Sequence, residues 1–261
     1  MYGFNRYDFR LMVNLFKMNV RDRYLGSSLG SFWAITNPLF MLALYTYVFG
    51  FVFKVRLPGA ETTFAYVIWL ISGYGPWIAM NEAITGGMNS VIGASGLVKN
   101  MAFKTELLPI AGTMVGVISL AVSLCFLFGL LILSGSPISW HVVFLPVVML
   151  LQFLFAVALA MWLSAIAVFI RDLVQVLPTL LTVLMFVTPI FYSFESMPEI
   201  IQKVSLANPL YQISEGYRSI LLGNRVPNLV GLGYVALLSA VIFHFGLRVF
   251  RRMKGSFDGA L

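Results

Sequence analysis

The sequence predicts an all-α integral membrane protein with six transmembrane helices and a further helix at the N-terminus that lies in the membrane interface. Of its 261 residues, 60% are hydrophobic and only 10% are charged, whereas soluble domains are about 45–50% apolar and about 25% charged. The mean hydropathy is +0.91. Six apolar stretches reach the roughly 20 residues that a helix needs to cross a bilayer. They are residues 33–53, 64–90, 109–133, 142–169, 173–194 and 229–249.

The first 32 residues predict an amphipathic helix on the cytoplasmic surface of the membrane. At about 3.6 residues per turn, five apolar side chains share one arc and four basic side chains lie on its flank. These are Phe9, Met12, Val13, Phe16 and Val20, with Arg6, Arg10, Lys17 and Arg21. A helix at the interface buries the apolar group and presents the basic group to lipid phosphates. Leu11 and Leu15 lie off the arc, and a disordered basic extension is the alternative interpretation.

The distribution of Lys and Arg predicts that both termini are cytoplasmic. With six spans the termini share one side, and twelve of the 17 basic residues fall there: five in the N-terminal tract, two in the loop 94–108, one at residue 171 and four in the tail. The other five fall on the opposite side. Because cytoplasmic loops carry the excess of Lys and Arg, the predicted organisation is a cytoplasmic helix over 1–32 and a six-span domain over 33–261.

The loop 94–108 has the composition of a surface that contacts another protein. Glycines allow a sharp exit from the membrane, and Pro109 would then be the first residue of the third span. Apolar and basic side chains alternate between them, namely Leu97, Val98, Lys99, Met101, Phe103 and Lys104. This composition suits docking into a groove on a partner protein, and a solvated connector is an equally good interpretation.

Prolines interrupt the stretch that follows the charged pair Arg171 and Asp172. Four of them, at positions 178, 189, 198 and 209, lie within residues 171–222. Broken helices free backbone groups that lipid cannot satisfy, so irregular backbone is tolerated only where it is buried in protein or lines a watery path. The segment therefore predicts a conduit.

Aromatic side chains recur on the first and fifth predicted spans. They are Tyr45, Tyr47, Phe49, Phe51 and Phe53 on the first span, with Phe186, Phe191, Tyr192 and Phe194 on the fifth. Flat apolar rings, with a hydroxyl group in Tyr, can slide against the C–H faces of sugars without gripping any single unit; lipid-facing Phe is the plainer interpretation. Glu82 lies inside the second predicted span, where a carboxylate either serves function or accepts hydrogen bonds from a neighbouring helix.

The sequence lacks the motifs of several catalytic classes. There is no G-x-x-x-x-G-K-[ST] loop for ATP, no G-x-S-x-G or H-E-x-x-H motif and no paired carboxylates. Cys125 stands alone, and His141 and His244 are too far apart in the chain to suggest a metal site. The net charge of +7 is explained by the positive-inside rule and by anionic lipid, so no nucleic acid partner is expected. We predict no catalytic residue, metal or cofactor in this chain.

An ordered set of segments carries a resemblance to a known family. After the basic N-terminus come RDRYLGSSLGSFWAITNPL, GLVKNMAFKTELLP, FIRDLVQVLPTLLTVLMFVTPIFYS and NPLYQISEGYRSILLG. Together they resemble the membrane subunits of type-2 ABC exporters, specifically the permeases that export O-antigen, capsule or teichoic acid chains. The resemblance covers essentially the whole chain.

The resemblance implies a homodimer that pairs with two copies of a separate ATPase, and the ATPase binds ATP and Mg. The complex would move a lipid-linked glycan across a bacterial inner membrane. It also implies roles for four groups of residues. Arg21, Arg23 and Tyr24 would form the entrance for the lipid headgroup, and the loop residues from Leu97 to Lys104 named above would receive the movement of the ATPase. The channel would be lined by Tyr45, Tyr47, Phe49, Phe53, Phe186 and Tyr192. Short re-entrant helices over 195–222 would gate the outer exit, and they are marked by Glu195, Asn208, Pro209, Glu215 and Arg218.

Three other functions are compatible with the sequence: an ABC permease for drugs or simple lipids, a membrane-embedded enzyme acting on lipid-linked sugars, and a structural membrane protein. The enzyme would need carboxylates or histidines clustered at one membrane face, whereas acids such as Glu195, Glu199 and Glu215 are scattered. The structural protein leaves the loop 94–108 unexplained. Among the possible glycans we favour O-antigen.

Overall fold

The computed structural model describes residues 5–23, 27–54, 62–100 and 103–261, and every regular element within them is helical. The first half contains α1 (Arg6–Arg23), α2 (Trp33–Tyr45, continued as a π-helix over Thr46–Val52), α3 (Thr63–Gly93), α4 (Ser95–Asn100), α5 (Leu107–Thr113) and α6 (Val115–Leu133). The second half contains α7 (Leu145–Phe169), α8 (Leu173–Val187), α9 (Glu199–Leu206), α10 (Pro209–Leu221), α11 (Leu229–Met253) and α12 (Phe257–Ala260).

Four segments of the described chain are long and apolar enough to cross a membrane. They are Trp33–Val52, Leu107–Leu133, Trp140–Phe169 and Leu229–Ser256. The apolar helix α8 has 15 residues, which at 1.5 Å per residue gives about 22 Å, less than a bilayer core of about 30 Å. Helix α3 has 31 residues and is long enough, but its second half is rich in polar residues. The second and fifth of the six predicted spans therefore remain predictions.

The structure corrects one end of each of two predicted spans, and a proline lies near both of these ends. The fifth was expected to reach residue 194, but α8 ends at Val187, because Pro189 has no N–H to donate and the preceding Thr188 is extended. Pro109 was expected to open the third span, but α5 begins two residues earlier, at Leu107. Pro109 is still tolerated there because the first four N–H groups of a helix have no partner within it.

Helix α3 is the centre of the bundle and packs against α5, α6, α7 and α10. Small residues allow the close approach of its neighbours. A Cβ atom added at Gly86 would lie 2.7 Å from the carbonyl oxygen of Gly112, and one added at Gly87 would lie 2.7 Å from the Thr113 side chain. Close backbone approach at small residues is typical of helix packing in membranes.

Helix α1 packs against the bundle through Met12 of the predicted apolar arc and through residues that lie off this arc. Leu15 is only 4% exposed and joins a cluster with Leu107, Leu108 and Phe250. Leu11 and Met18 are partly buried against the same cluster. The two leucines that lie off the predicted arc thus form a second apolar face that contacts protein, while Phe9 on the arc and the four basic residues of its flank are exposed.

Several helices of the described chain leave large apolar side chains exposed, and α2 and α8 are among them. On α2 and its π-helical continuation these are Phe40, Leu44, Tyr47, Phe51 and Val52, and on α8 they are Val176, Leu180, Val183, Phe186 and Val187. Contiguous exposed apolar faces on a single chain indicate contact with lipid or with another protein. Faces that remain open on both helices are therefore available to a partner subunit or to membrane lipid.

Candidate functional site

Three of the six predicted channel residues meet at one point, which we call the aromatic cluster: Tyr45, Phe49, Tyr74, Phe186 and Phe191. Phe191 is buried at its centre, with ring centroids 4.7 Å from Phe49, 5.2 Å from Tyr45 and 5.5 Å from Phe186. Tyr74 of α3 completes it, 4.4 Å from Tyr45. The sequence analysis missed Tyr74 because it lies inside an apolar helix with no distinguishing neighbour. The structure therefore brings the first and fifth predicted spans together through their rings.

The other three predicted channel residues lie at the edge of the aromatic cluster or outside it. The Tyr192 hydroxyl donates a hydrogen bond of 2.6 Å to the Phe186 carbonyl oxygen. Phe53 contacts Phe49 edge-on but is 64% exposed, and Tyr47 is 61% exposed on the open face of the helix. Tyr47 is thus not brought to the cluster within one chain.

The break that follows α8 is held in place by three hydrogen bonds from two side chains of other helices. The Arg218 guanidinium donates to the carbonyl oxygens of Pro189 (2.9 Å) and Ile190 (2.8 Å). The Tyr66 hydroxyl donates to the Phe191 carbonyl oxygen at 3.0 Å. Because the segment after α8 is not helical, its carbonyl groups have no partners within a helix, and these donors satisfy backbone that would otherwise be costly to bury.

Arg218 is the most deeply buried charged side chain of the predicted outer gate, only 5% exposed. Its guanidinium carbon lies 3.7 Å from the centroid of the Trp69 ring, within the range of a cation–π contact. A Cβ atom at Gly73 would lie 2.5 Å from its Nη2 atom, so this glycine on α3 makes room for the arginine. The distribution of Lys and Arg predicts Arg218 as one of the five basic residues on the outer side, and it gives no sign that this side chain is buried.

The remaining gate residues define the start and the outer surface of α10. Asn208 is its N-cap: the side-chain oxygen accepts from the Leu210 N–H at 2.9 Å, and the amide donates to the Thr188 hydroxyl at 2.9 Å. Pro209 is the first helical residue, a position that proline favours. Glu215 forms an ion pair of 2.9 Å with Arg225. Glu195 is exposed on the 3₁₀ turn Phe194–Ser196.

A chain of buried hydrogen bonds anchors α10 to the bundle, and the sequence analysis did not foresee it. The Tyr217 hydroxyl donates to the Gln152 side-chain oxygen at 2.7 Å, and the Gln152 amide donates to the Pro76 carbonyl oxygen at 2.9 Å. The chain thus crosses from α10 through α7 to α3. A glutamine in the middle of an apolar helix was the available signal, since such residues hydrogen-bond across helices in membranes.

Beneath α1 lies a cavity of about 630 Å³, which we call the polar cleft. Its polar lining comes from α1, α2 and α3: Asn19, Asp22, Arg23, Asn37, Asn81, Glu82, Thr85, Asn89 and Ser90. An Nη2 atom of Arg23 lies 3.1 Å from Oε1 of Glu82, and the Ser119 hydroxyl donates to the other carboxylate oxygen. Glu82 thus accepts hydrogen bonds from neighbouring helices, in part through an ion pair, and its role in function stays a prediction.

The predicted headgroup residues are divided between two surfaces. Arg23 lines the polar cleft and is paired with Glu82, whereas Arg21 is exposed on the basic flank of α1. Tyr24 lies outside the described residues. The predicted cooperation of Arg21 and Arg23 at one phosphate therefore has no support from their positions.

The loop 94–108 packs partly on its own chain. Leu97 and Val98 lie on α4, and with Phe103 they are partly buried against the cluster that contains Leu15, while Lys99 is exposed. Less of their apolar surface is therefore open to a partner than the sequence suggested. Met101 lies outside the described residues.

Ion pairs tie this loop to both ends of the chain. Lys104 pairs with Asp8 of α1, and the Lys104 ammonium together with the Asn5 N–H holds the pKa of Asp8 below its ordinary value. Glu106 accepts from Arg251 (3.0 Å) and Lys254 (3.3 Å). Burial alone would raise the pKa of Glu106, but its hydrogen bonds to the backbone and to these two cations outweigh burial and lower it.

The fold and these sites define a polytopic helical membrane protein in which a buried arginine donates hydrogen bonds to the segment that follows a broken helix. Residues 10–222 match the family model described as ABC-2 type transporter, and the chain belongs to that family. Among the described residues no group of three or more His, Cys, Asp or Glu side chains could hold a metal ion.

Relatives of known name align with almost the whole chain. It is 28% identical over 254 residues to the O-antigen export system permease protein RfbA of Myxococcus xanthus, covering 96% of this chain and 95% of that protein. It is 25% identical over 256 residues to an RfbA protein of Klebsiella pneumoniae, with the same coverage. It is 22% identical over 252 residues to the capsule polysaccharide export inner-membrane protein CtrC of Neisseria meningitidis, covering 94% and 91%.

Proposed function

We propose that this chain is the membrane subunit of an ATP-driven exporter that moves a lipid-linked polysaccharide, most simply an O-antigen, across a bacterial inner membrane. The observation that carries the proposal is the alignment over 96% of the chain with permeases named for O-antigen export. It is supported by the order of the sequence segments from the basic N-terminus to the NPLYQISEGYRSILLG tract. Capsule polysaccharide is the second candidate substrate, favoured by the similarity to CtrC.

In this proposal the chain crosses the membrane six times, with both termini in the cytoplasm. The four long apolar segments supply four crossings; α3 supplies another, and α8 with the residues after it supplies the sixth. Helix α1 lies in the cytoplasmic interface, with Leu15 towards the bundle, Phe9 towards lipid and the basic flank towards phosphates. Helices α9 and α10 form a re-entrant pair that gates the outer exit.

Two copies of the chain and two copies of a separate ATPase complete the proposed exporter. In this proposal the uncovered faces of α2 and α8 form the interface of a two-fold dimer, which the exposure of their apolar side chains supports. The ATPase binds ATP and Mg, since this sequence contains no P-loop. The movement of the ATPase reaches the membrane helices through the loop 94–108. Ion pairs to Asp8, Arg251 and Lys254 connect this loop to α1 and to the end of α11.

The glycan then passes the rings where the first and fifth spans meet. Apolar ring faces hold sugars weakly, and weak repeated contacts are required, since a tight site would stall a long polymer, as in channels. The phosphates of the lipid carrier contact the exposed basic flank of α1, including Arg21. The chain itself performs no covalent chemistry.

Co-purification and glycan analysis test the proposal together. The chain is isolated in mild detergent, and lipid-linked glycan is followed in a strain that lacks its gene. We expect a P-loop ATPase to co-purify and glycan to accumulate on the cytoplasmic side. Absence of an ATPase together with normal surface glycan would overturn the proposal and favour a membrane-embedded enzyme.

A further inference from the structure

The polar cleft has a regular donor and acceptor surface that the ion pair of Arg23 and Glu82 does not use. Asn81, Thr85 and Asn89 follow one another at intervals of four residues on α3, so their side chains form a row on one face. All three line the cleft and are partly buried. The row spans two helical turns, about 11 Å. It is long enough to contact more than one ring of a polymeric ligand.

The charges of the cleft are unsuited to a phosphate. The ionisable side chains in its lining are Asp22, Arg23 and Glu82, so their formal charges sum to −1. Arg23, the one cation among the described residues that line the cleft, is paired with a carboxylate at 3.1 Å. The basic residues Arg10, Lys17 and Arg21 of α1 are exposed and do not line the cleft. A pyrophosphate placed there would meet two carboxylates at short range, and this repulsion is strong where water is partly excluded.

Amide and hydroxyl groups in such number suit a neutral ligand that both donates and accepts hydrogen bonds. Each asparagine offers two N–H donors and one carbonyl acceptor, and each hydroxyl is donor and acceptor at once. The Nδ2 atom of Asn19 is buried and has no hydrogen-bond partner among the described residues. A buried donor without a partner is costly, so a ligand that accepts from Asn19 would relieve that cost.

We propose that the polar cleft binds neutral sugar residues of the glycan through Asn19, Asn81, Thr85 and Asn89, and that the carrier phosphates lie outside it. This inference rests on the proposed export of a glycan and assigns the cleft to the sugar part of that substrate. The cleft then selects which glycan enters, while the basic flank of α1 contacts phosphates whatever sugar is attached.

Saturation-transfer NMR tests the proposal with the full-length chain in lipid nanodiscs. The probes are N-acetylglucosamine and methyl α-mannoside, each at millimolar concentration, with empty nanodiscs as background. We expect saturation of at least one sugar by the protein, and loss of two hydrogen-bonding side chains in Asn81→Leu/Asn89→Leu should weaken binding about tenfold. The smaller variant Asn81→Ala/Asn89→Ala should do the same, so that a defect in packing by leucine is not mistaken for loss of binding.

The matched control is Asn14→Leu, which removes an exposed amide from α1 outside the cleft and should leave the sugar signal unchanged. An equal concentration of pyrophosphate should not displace the sugar. The proposal is overturned if neither sugar binds, if both cleft variants bind as wild type does, or if pyrophosphate competes. Glycan accumulation in the deletion strain is measured independently, so failure of the cleft assignment is distinguishable from failure of the export function.

Discussion

Arg218 of α10 stacks on the indole ring of Trp69 of α3, with 3.7 Å between its guanidinium carbon and the ring centroid. From this position it donates to two carbonyl groups of the irregular segment just beyond the end of α8, those of Pro189 and Ile190. One side chain thus joins three helices at the point where the chain breaks. A cation is favourable there because the carboxyl end of a helix carries partial negative charge.

Replacement of Arg218 by methionine should therefore strongly destabilise the protein. It removes two hydrogen bonds from a charged donor and leaves two carbonyl groups unsatisfied, at a cost of about 3 kcal/mol. Arg218→Lys should recover only part of this, because lysine lacks the planar fork that reaches two acceptors and stacks on a ring. Thermal unfolding of the detergent-solubilised protein measures both variants.

Arg225→Met is the matched control for Arg218. Arg225 is largely exposed and pairs with Glu215, and exposed ion pairs contribute about 0–1 kcal/mol. An equal loss of stability in the Arg218 and Arg225 variants would contradict the role assigned to the buried guanidinium.

The hydrogen bond between Tyr217 and Gln152 should be measurable as a coupling energy. Tyr217→Phe and Gln152→Leu each break the 2.7 Å contact, so the double variant should lose less stability than the sum of the two single variants. Interhelical hydrogen bonds in membranes contribute about 0.6 kcal/mol on average and up to about 1.7 kcal/mol. A double-mutant cycle by reversible unfolding in mixed micelles gives the value, and additivity within error would show that the two groups do not interact.

The ion pair of Arg23 and Glu82 should be required for export and should tolerate reversal. Arg23→Glu and Glu82→Arg each place like charges together beneath α1, so each should lower surface glycan severalfold. The double variant restores an attractive pair and should recover much of the export, measured as surface glycan per cell at equal amounts of the protein. A double variant as inactive as the single ones would show that the pair does not join α1 to α3.

The ion pairs that attach α1 and the end of α11 to the loop 94–108 should weaken in acid. The pKa values of Asp8 and Glu106 are lowered in the folded protein. Their stabilisation is therefore complete above the unfolded values, about 4, and is lost as the pH falls through the folded values. Hydrogen exchange of the α1 amides should be unchanged between about pH 6 and 8 once the intrinsic rate is removed. Below about pH 4 the amides should lose protection.

Asp8→Asn is the control for the acid effect. It removes the titrating group, so α1 should already be less protected at neutral pH and should change less with acid. Equal acid sensitivity of the wild-type protein and this variant would locate the effect elsewhere.

The sequence predicted those features of the fold that depend on residues a few positions apart in the chain. Asn208 and Pro209 were named as marks of the tract 195–222, and the structure places them at the start of α10, where capping and the fixed φ of proline act within a few residues. The aromatic repeat identified Tyr45 and Phe49, since residues four apart share a helical face. The second apolar face of α1 was visible only as an imperfection of the pattern, because Leu15 contacts residues nearly a hundred positions away.

The burial of Arg218 and the role of Gln152 could not be predicted in the same way. The acceptors of Arg218 are 28 and 29 residues away and are free only because α8 stops at Val187. Gln152 and Tyr217 are separated by 65 residues. Contacts of this kind depend on how helices pack, and hydropathy and spacing along the chain do not contain that information.

ATP-dependent movement of the glycan in inverted membrane vesicles tests the central claim most directly. Vesicles from wild-type cells expose the cytoplasmic face, so lipid-linked glycan is initially accessible to a glycosidase added outside. We predict that ATP makes this glycan inaccessible in wild-type vesicles and leaves it accessible in vesicles that lack this chain. Glycan protection that is equal in both, or that needs no ATP, would contradict the proposal that this chain forms the path of an ATP-driven polysaccharide exporter.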